Sequence, residues 1–336
     1  MKKITLADIA KETGYSVNTV SHALRDMKDI SASVKSYIND TAKRMGYIPN
    51  TSAGVLRSGK TMNVALILDE VSAPFSARLI SLMEAELRKQ KYTAFVMLTH
   101  GDTTKEENAI TSAISKNADA IVICPADDPG KSLDIAKKND IPCIQILKAA
   151  NSPSYPCVIS DSQAEGYTAT NELIKRGHGE ILYIGNNANT LKGIKKAYTE
   201  NNLPAESLHT YISDNDIDSA VENKSFTAVI CSNEVLAVKV YKTLTGRGKK
   251  IPEDISLIMT GASHEKCLSP IDITSVGCNA ESLAAETIRN LIDTIQKNNE
   301  NQTRILSPDF FYGETLGASA RKYKVPGKKT LSDYLL

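Results

Sequence analysis

The sequence predicts an α/β protein: an N-terminal three-helix, helix-turn-helix headpiece, then a core of two lobes, each a doubly wound parallel sheet. Three observations support this prediction. The first 46 residues carry apolar periodicities of three and four, with helix-capping residues between them. From Asn63 onward, short apolar strands alternate with amphipathic helices. The alternation starts again after Val158-Ile159-Ser160-Asp161, so the core should contain two similar lobes.

The headpiece elements follow from their capping residues. Thr5 and Asp8 have the spacing of a capping box and should open a first helix, which Gly14 ends. Ser16 then opens a second helix over Val17 to Arg25 after a tight turn, as in a helix-turn-helix. Ser31 opens a third helix, whose apolar positions are spaced by three and four: Val34, Ile38, Ala42 and Met45.

The core elements follow from short apolar runs and the amphipathic segments between them. The predicted strands are 64–68, 93–98, 120–124, 143–147, 181–184, 228–231 and 256–259. The predicted helices are 75–90, 106–116, 164–176, 191–201 and 234–246. In such sheets, ligands bind outside the carboxyl ends of the strands, so a two-lobed core predicts one ligand cleft between two such edges.

Length and composition fit a protein of several globular domains. The chain has 336 residues, of which 41% are hydrophobic and 24% charged. No apolar run approaches the ~20 residues that span a bilayer, and Met1-Lys2-Lys3 leads into a polar capping sequence rather than a signal peptide. We therefore expect a cytoplasmic protein without a membrane partner. The six cysteines lie far apart without C-x-x-C pairs, which favours reduced core residues and neither a metal nor a cofactor.

Charge is distributed unevenly along the chain. Residues 1 to 60 hold ten Lys/Arg against five Asp/Glu, a net charge of +5, whereas the whole chain carries +1. A basic head on a mildly acidic body suits contact with nucleic acid at one end, because Lys and Arg neutralise phosphates.

The second helix carries side chains suited to reading base edges. In a helix-turn-helix this helix enters the major groove. Asn18 could pair with adenine, Val17 could pack on a thymine methyl, and His22 could donate to guanine. The alternative is that Val17 and Val20 are core residues and His22 is an ordinary surface residue. Short hydroxyls suited to phosphate flank them: Ser16, Thr19 and Ser21.

The headpiece closely resembles that of the LacI/GalR family of bacterial repressors. The runs that carry the resemblance are Thr5-Leu6-Ala7-Asp8-Ile9-Ala10, Gly14-Tyr15-Ser16, Thr19-Val20-Ser21 and Gly46-Tyr47-Ile48-Pro49-Asn50. The family usually has Arg where this chain has His22, so the operator preference does not carry over. The DNA-binding residues that the resemblance implies are Thr5, Ser16, Val17, Asn18, Thr19, Ser21, His22, Ser31, Asn50, Ala53 and Leu56.

The stretch after Asn50 matches the family's hinge helix, which folds when two copies meet in the minor groove. Leu56 matches the leucine that wedges into the central base step and kinks the duplex. Gly54 disfavours this short helix by about 1 kcal/mol relative to Ala, which disfavours folding away from DNA. The alternative is a flexible linker, with Leu56 packed against the body.

The body resembles the periplasmic-binding-protein-like core of the same family. Pro74-Phe75, Gly177-His178, Ser232-Asn233-Glu234 and Ile251-Pro252-Glu253-Asp254-Ile255-Ser256 carry this resemblance. The implied domains are a headpiece at 1–46, a hinge helix or linker at 47–61, a core at 62–323 and a C-terminal tail at 324–336. Lobe 1 should comprise about 62–159 plus 277–307, and lobe 2 about 160–276 plus 308–323. For the tail, disorder is slightly favoured over a short interaction helix.

The implied ligand positions depart from the family's sugar-binding pattern. They are Glu70, Ser72, Phe75, Lys148, Asp161, Thr190, Lys192, Asn233, Glu234 and His264. Two family carboxylates and an arginine are absent, while Lys148, Lys192 and His264 add cationic character. A carboxylated or phosphorylated sugar is one hypothesis, since a desolvated anion needs opposite charge. The other is a degenerate cleft in which a protein partner replaces the small ligand.

The resemblance implies a homodimeric transcription regulator, a repressor, that binds a pseudo-palindromic operator under control of a small carbohydrate-like effector. Two alternatives use the same α/β scaffold. A solute-binding protein would carry a signal peptide and no basic headpiece. A carbohydrate-related enzyme is disfavoured because the sequence contains no G-x-G-x-x-G, G-x-x-x-x-G-K-[ST], H-E-x-x-H or G-x-S-x-G motif.

Overall fold

A computed structural model describes residues 3–48, 60–71, 74–126, 131–149, 155–212, 217–222, 225–261, 271–296 and 302–319. The predicted hinge contacts, two predicted ligand residues and the tail lie outside these residues: Asn50, Ala53, Leu56, Ser72, His264 and 324–336. The chain divides into two compact units, Met1–Thr61 and Met62–Leu336.

The first unit is a bundle of three helices, as predicted. They are α1 (Leu6–Thr13), α2 (Val17–Leu24) and α3 (Ala32–Met45). Thr5 and Asp8 form the predicted capping box, and Gly14 ends α1 in the left-handed conformation, with φ of 75°. Ser31 occupies the N-cap position of α3 without capping it, because its hydroxyl lies 3.2 Å from that of Ser33. Six buried side chains form the small core: Ile9, Ala10, Val20, Ala23, Ile38 and Ala42.

The second unit alternates strands and helices, also as predicted. Its first part contains β1 (Asn63–Leu68), α4 (Pro74–Lys89), β2 (Thr93–Leu98), α5 (Thr103–Ser115), β3 (Ala120–Ile123), α6 (Lys131–Lys138), β4 (Cys143–Ile146) and β5 (Cys157–Ser160). Its second part contains α7 (Ser162–Lys175), β6 (Ile181–Ile184), α8 (Ala188–Glu200), a 3-10 turn (Ala205–Ser207), β7 (Leu208–Tyr211), α9 (Ile217–Val221), β8 (Ala228–Cys231), α10 (Glu234–Gly246), β9 (Ser256–Thr260), β10 (Thr274–Gly277), α11 (Ala280–Gln296), β11 (Arg304–Leu306) and β12 (Asp309–Phe311).

Three helices begin earlier than apolar periodicity predicted. The helices expected from residues 106, 164 and 191 begin at Thr103, Ser162 and Ala188. Each follows an Asp or Asn whose side chain accepts hydrogen bonds from the first-turn N–H groups: Asp102, Asp161 and Asn187. The polar first turns precede the first buried apolar residues, so periodicity alone missed them.

The strands form two six-stranded sheets. The order in the first sheet is β11-β5-β4-β3-β1-β2, and all its strand pairs are parallel. The order in the second is β12-β10-β9-β8-β6-β7, with β12 antiparallel to β10. Helices α4 and α11 pack on one face of the first sheet, and α5 and α6 pack on the other. Each sheet with its helices is one lobe, called lobe 1 and lobe 2.

The chain crosses between the lobes three times, between β5 and α7, between β10 and α11, and between β11 and β12. The Asp161 N–H donates to the carbonyl of Leu306 at 2.9 Å, so the first and third crossings lie side by side. Asn279 Nδ2 donates to Asp309 Oδ2 at 3.0 Å and joins the second crossing to the third. All three crossings leave the carboxyl ends of their strands, which places the carboxyl edges of both sheets at the lobe junction.

Among the described residues, none of the helices combines the length and apolar character that crossing a membrane requires. The same residues hold no group of three or more potential metal ligands.

Candidate functional site

The N-terminal half of α2 presents an exposed polar and apolar surface. Val17 is 47% exposed although it is a large aliphatic residue, and Asn18 beside it is exposed. Val20, one turn further along the same helix, is fully buried, as is Ala23. The buried side chains therefore anchor α2 in the headpiece core, and Val17 and Asn18 remain available to a partner.

The hydroxyl side chains around α2 have local structural roles. Ser16 Oγ accepts from the Thr19 N–H at 3.1 Å and lies 2.8 Å from Thr19 Oγ1, which caps the helix. Thr5 is engaged with Asp8 in the capping box of α1. Ser21, predicted among the phosphate contacts, is only 8% exposed and accepts a hydrogen bond from the Arg25 guanidinium. Ser16, Thr19 and Thr5 lie at or near helix N-termini, where backbone N–H groups also attract anions.

His22 lies in the last turn of α2 and is paired with a carboxylate. Its Nδ1 lies 2.6 Å from Asp29 Oδ2. Hydrogen bonding to His22 holds the pKa of Asp29 below its ordinary value. Asp29 was not among the predicted site residues: it is seven positions along the chain and outside any helix, so no periodicity relates the two.

In lobe 1, the predicted ligand residues lie among paired charges at the carboxyl ends of β1 and β4. Lys148 Nζ lies 3.3 Å from Asp69 Oδ2, reaching across the end of β3. His100 Nδ1 lies 3.5 Å from Glu70 Oε2. Phe75, by contrast, is 6% exposed and packs in the core between the first sheet and its helices. Sequence reasoning missed Asp69 and His100, the partners of the two charged residues that it singled out.

In lobe 2, the predicted ligand residues gather at helix N-termini. Asp161 caps α7 by accepting from Gln163 N and Ala164 N, and Asn233 caps α10 by accepting from Leu236 N. These caps follow β5 and β8 directly, so the N-termini of both helices face the carboxyl edge where ligands bind in this class of sheet.

The other lobe 2 predictions lie near the N-termini of α8 and α10. Thr190 is buried in α8, whose N-cap is Asn187. Lys192 is exposed, with Nζ 3.4 Å from Asn189 Oδ1. Glu234 is the first residue of α10. Asn187 is a cap that sequence analysis did not single out.

A buried carboxyl group lies beside the lobe junction. Glu165 in α7 is 1% exposed and accepts a hydrogen bond from the hydroxyl of Ser160, the last residue of β5. Burial raises the pKa of Glu165 to about 7. Its spacing of four and eight residues from Ala169 and Leu173 places it on the apolar stripe of α7, a signal that could have identified it from the sequence.

Comparison with known families matches nearly the whole chain. The model for "Bacterial regulatory proteins, lacI family" matches residues 5–50, and that for "Periplasmic binding proteins and sugar binding domain of LacI family" matches residues 61–315. The HTH-type transcriptional repressor PurR of Glaesserella parasuis is 25% identical over 332 residues, covering 94% of this chain and 98% of that protein. An HTH-type transcriptional regulator of Lachnoclostridium phytofermentans is also 25% identical, covering 93% of this chain and 99% of that protein.

Solved structures share the fold at lower identity. The lac repressor dimer bound to operator and the anti-inducer ONPF has a TM-score of 0.81 at 15% identity, over 94% of this chain and 100% of that one. A LacI family transcriptional regulator from Enterococcus faecium with bound ribose has a TM-score of 0.69 at 20% identity, over 77% and 100%.

Proposed function

Because this chain belongs to the LacI family, whose members are DNA-binding transcriptional repressors regulated by sugars or other small molecules and not enzymes, we propose how it reads DNA and what it senses. The proposed organisation is a headpiece at 1–46, a hinge at 47–61 and a two-lobed sensor core at 62–323. As a regulator of transcription, it acts in the cytoplasm.

We propose that a homodimer places one α2 helix in each of two major grooves of a pseudo-palindromic operator. The observation that carries this proposal is the exposure of Val17 and Asn18 on a helix that the buried Val20 and Ala23 anchor in the headpiece core. Asn18 pairs with adenine and Val17 packs on a thymine methyl. Thr5, Ser16 and Thr19 position the headpiece on phosphates, and Leu56 in the hinge wedges into the central base step.

Selection of bound fragments from random DNA, followed by gel shifts at several salt concentrations, tests this proposal. Asn18→Ala should reduce affinity for the selected operator about tenfold or more and leave non-specific binding unchanged. Asn39→Ala is the matched control, because Asn39 is also exposed but lies on α3. Equal effects of the two substitutions, or no selectable sequence, would refute the reading role of α2.

We propose that the effector is a small carbohydrate-like molecule that binds at the carboxyl edges of both sheets. Lobe 1 contributes Glu70 and the Lys148–Asp69 pair, and lobe 2 contributes the capping residues Asp161 and Asn233. Carboxylate and amide oxygens accept hydrogen bonds from sugar hydroxyls. A ligand that favours one arrangement of the lobes would bias hinge folding and so change operator affinity, by induction or by corepression.

An acidic or phosphorylated sugar is the second candidate. Two observations favour it: the exposed Lys192 near the N-terminus of α8, and the helix N-termini of lobe 2. In lobe 1, by contrast, the Lys148 ammonium is paired with Asp69, so we place the anionic group of such a ligand against lobe 2.

Thermal-shift screening of neutral sugars, sugar acids and sugar phosphates separates the two candidates. If an anionic sugar stabilises the protein, Lys192→Met should weaken that stabilisation, whereas Lys89→Met, on α4 of lobe 1, should not. Stabilisation by neutral sugars alone would exclude the anionic effector. If the core binds none of these classes, the carbohydrate-like effector is excluded as well.

A further inference from the structure

We propose that Asp29 fixes the tautomer of His22, so that the neutral ring reads its operator base as a hydrogen-bond acceptor and the protonated ring reads it as a donor. This inference rests on the proposed reading role of α2. It adds a positioning residue, Asp29, and assigns the class of base that His22 selects.

The turn after α2 holds Asp29 against the recognition helix. The carbonyl of His22 accepts from the N–H groups of Arg25 and Met27, at 3.2 and 3.0 Å, so the chain folds back over the end of the helix. This places Asp29 Oδ2 2.6 Å from Nδ1 of His22. The histidine side chain keeps 29% of its surface exposed, so the ring is anchored at one nitrogen without being buried.

The chemistry of the pair determines which nitrogen carries the proton. An ionised carboxylate only accepts hydrogen bonds, so Nδ1 of His22 must be the donor in this contact. The hydrogen bond from His22 also keeps the pKa of Asp29 below its ordinary value, which favours the ionised carboxylate. In a neutral imidazole with its proton on Nδ1, Nε2 carries a lone pair and is an acceptor.

Neighbouring charges do not offer Nδ1 a competing acceptor. Asp26, in the same turn, is paired with Lys35 of α3 at 2.7 Å. Lys35 also stabilises the ionised form of Asp29 electrostatically. The Arg25 guanidinium is bonded to the hydroxyl of Ser21. Among the described residues, the charged groups in this turn and its contacts are thus Asp29, the Asp26–Lys35 pair and Arg25.

An Nε2 acceptor selects bases with an amino group in the major groove. Cytosine N4 and adenine N6 donate there, whereas guanine offers only the acceptors N7 and O6. Neutral His22 should thus favour cytosine or adenine and disfavour guanine. Protonation converts Nε2 into a donor, which reverses the preference toward guanine. The gain or loss of one hydrogen bond should change the affinity for one base relative to the other about two- to tenfold.

The test is a selection of operator half-sites by the full-length protein at pH 8, which favours the neutral ring, and at pH 5.5, which favours the protonated ring. The wild type should enrich cytosine or adenine at one half-site position at pH 8 and shift toward guanine at pH 5.5. His22→Gln should remove the pH dependence at that position and leave the others unchanged, which identifies the position.

The Asp29→Asn variant tests the positioning role. An amide can both donate and accept, so either tautomer of His22 can pair with it, and the base preference at pH 8 should weaken about two- to tenfold. Asp26→Asn is the matched control, because it removes a carboxylate from the same turn without contacting His22. Circular dichroism checks that both variants keep the folded headpiece.

A direct measurement of the tautomer complements the selection. In full-length protein labelled with ¹⁵N-histidine, the resonances lost in His22→Gln identify this ring. At pH 8 its Nε2 should have the chemical shift of an unprotonated nitrogen, and in Asp29→Asn that shift should move toward a mixture of tautomers.

Three outcomes would overturn the inference: a base preference independent of pH, equal effects of Asp29→Asn and Asp26→Asn, or a protonated Nε2 at pH 8. In each, sequence-specific binding by the wild type would leave the reading role of α2 intact. Absence of any selectable operator would instead refute the proposed function itself.

Discussion

The two lobes use the same local sequence device for different purposes. In each, an Asp caps a helix and a buried Glu follows four residues later: Asp102 and Glu106 in α5, Asp161 and Glu165 in α7. Both glutamates are 1% exposed, and both accept a hydrogen bond from a serine hydroxyl. Identical spacing thus produces two buried carboxyl groups.

The two glutamates accept hydrogen bonds from different partners, and the two contacts therefore join different parts of the core. Glu106 bonds Ser132 and the N–H of Ala126 at 2.5 Å, which ties the segment after β3 to α5 within lobe 1. Glu165 bonds Ser160 where the chain leaves the first sheet for lobe 2. Asp161, Cys278 and Tyr183 are the titratable groups that interact with Glu165. Glu106 therefore closes a loop within lobe 1, whereas Glu165 lies at the junction of the lobes.

The lobes also differ in how their helices pack. The close packing of α7 on α8 in lobe 2 predicts the largest change in the free energy of unfolding. A Cβ on Gly166 of α7 would lie 2.1 Å from the carbonyl oxygen of Thr190, and one on Gly193 of α8 would lie 1.9 Å from that of Gln163. Gly166→Ala should therefore force α7 and α8 apart and reduce the free energy of unfolding by about 3 kcal/mol or more.

Urea unfolding measures this change, and Gly246→Ala is the matched control. A Cβ on Gly246, also helical, would meet nothing within 4 Å. Alanine there should stabilise the protein by up to about 1 kcal/mol. Similar unfolding midpoints for the two variants would contradict the close packing of α7 on α8.

Removing the carboxyl group of Glu106 in lobe 1 should cause the second-largest loss in the free energy of unfolding. Glu106→Ala leaves the Ala126 N–H and the Ser132 hydroxyl without their acceptor, at about 1–3 kcal/mol for each unsatisfied buried group. Glu106→Gln keeps an acceptor oxygen and should lose less. Equal losses measured by urea unfolding would mean that the hydrogen bonds of Glu106 contribute nothing beyond its charge.

The lobe 2 carboxyl group should make stability depend on pH. The pKa of Glu165 is raised from an ordinary 4.5 to about 7, so the folded state binds the proton more tightly than the unfolded state. This contribution is fully present below pH 4.5 and is lost as pH rises through about 7. The free energy of unfolding should fall by about 1–3 kcal/mol relative to Glu165→Gln between pH 5 and pH 8. Thermal unfolding at several pH values measures this dependence. Parallel stability profiles of the wild type and Glu165→Gln would contradict a contribution from Glu165.

The exposed ion pair of lobe 1 should contribute least. Lys148 and Asp69 keep 38% and 37% of their side-chain surfaces exposed, so solvent screens their attraction. A double-mutant cycle with Lys148→Met and Asp69→Asn should give a coupling of about 0.2–1 kcal/mol that decreases at high salt. A larger coupling that salt does not affect would indicate a desolvated pair.

Local patterns in the sequence were sufficient for the class of fold and for the headpiece helices, but in the core they did not predict α6, α9, α11, β7, β10, β11 or β12. The Thr5–Asp8 capping box, the left-handed Gly14 and the apolar strands all depend on neighbours within a few residues, and the structure confirms them. The predicted helix ends were less accurate than the predicted helices themselves, because polar caps such as Asn187 precede the apolar face that periodicity detects.

The sequence by itself determined the three-helix headpiece, the alternating core and the family, because caps, periodicity and motifs are properties of adjacent residues. Only the tertiary structure decided that Asp29 holds His22, that Asp69 holds Lys148 and that Glu165 is buried at the lobe junction. Such pairs join residues brought together by turns, crossings and packing. The ionisation and hydrogen-bonding capacity of each group depend on those neighbours, which no local pattern specifies.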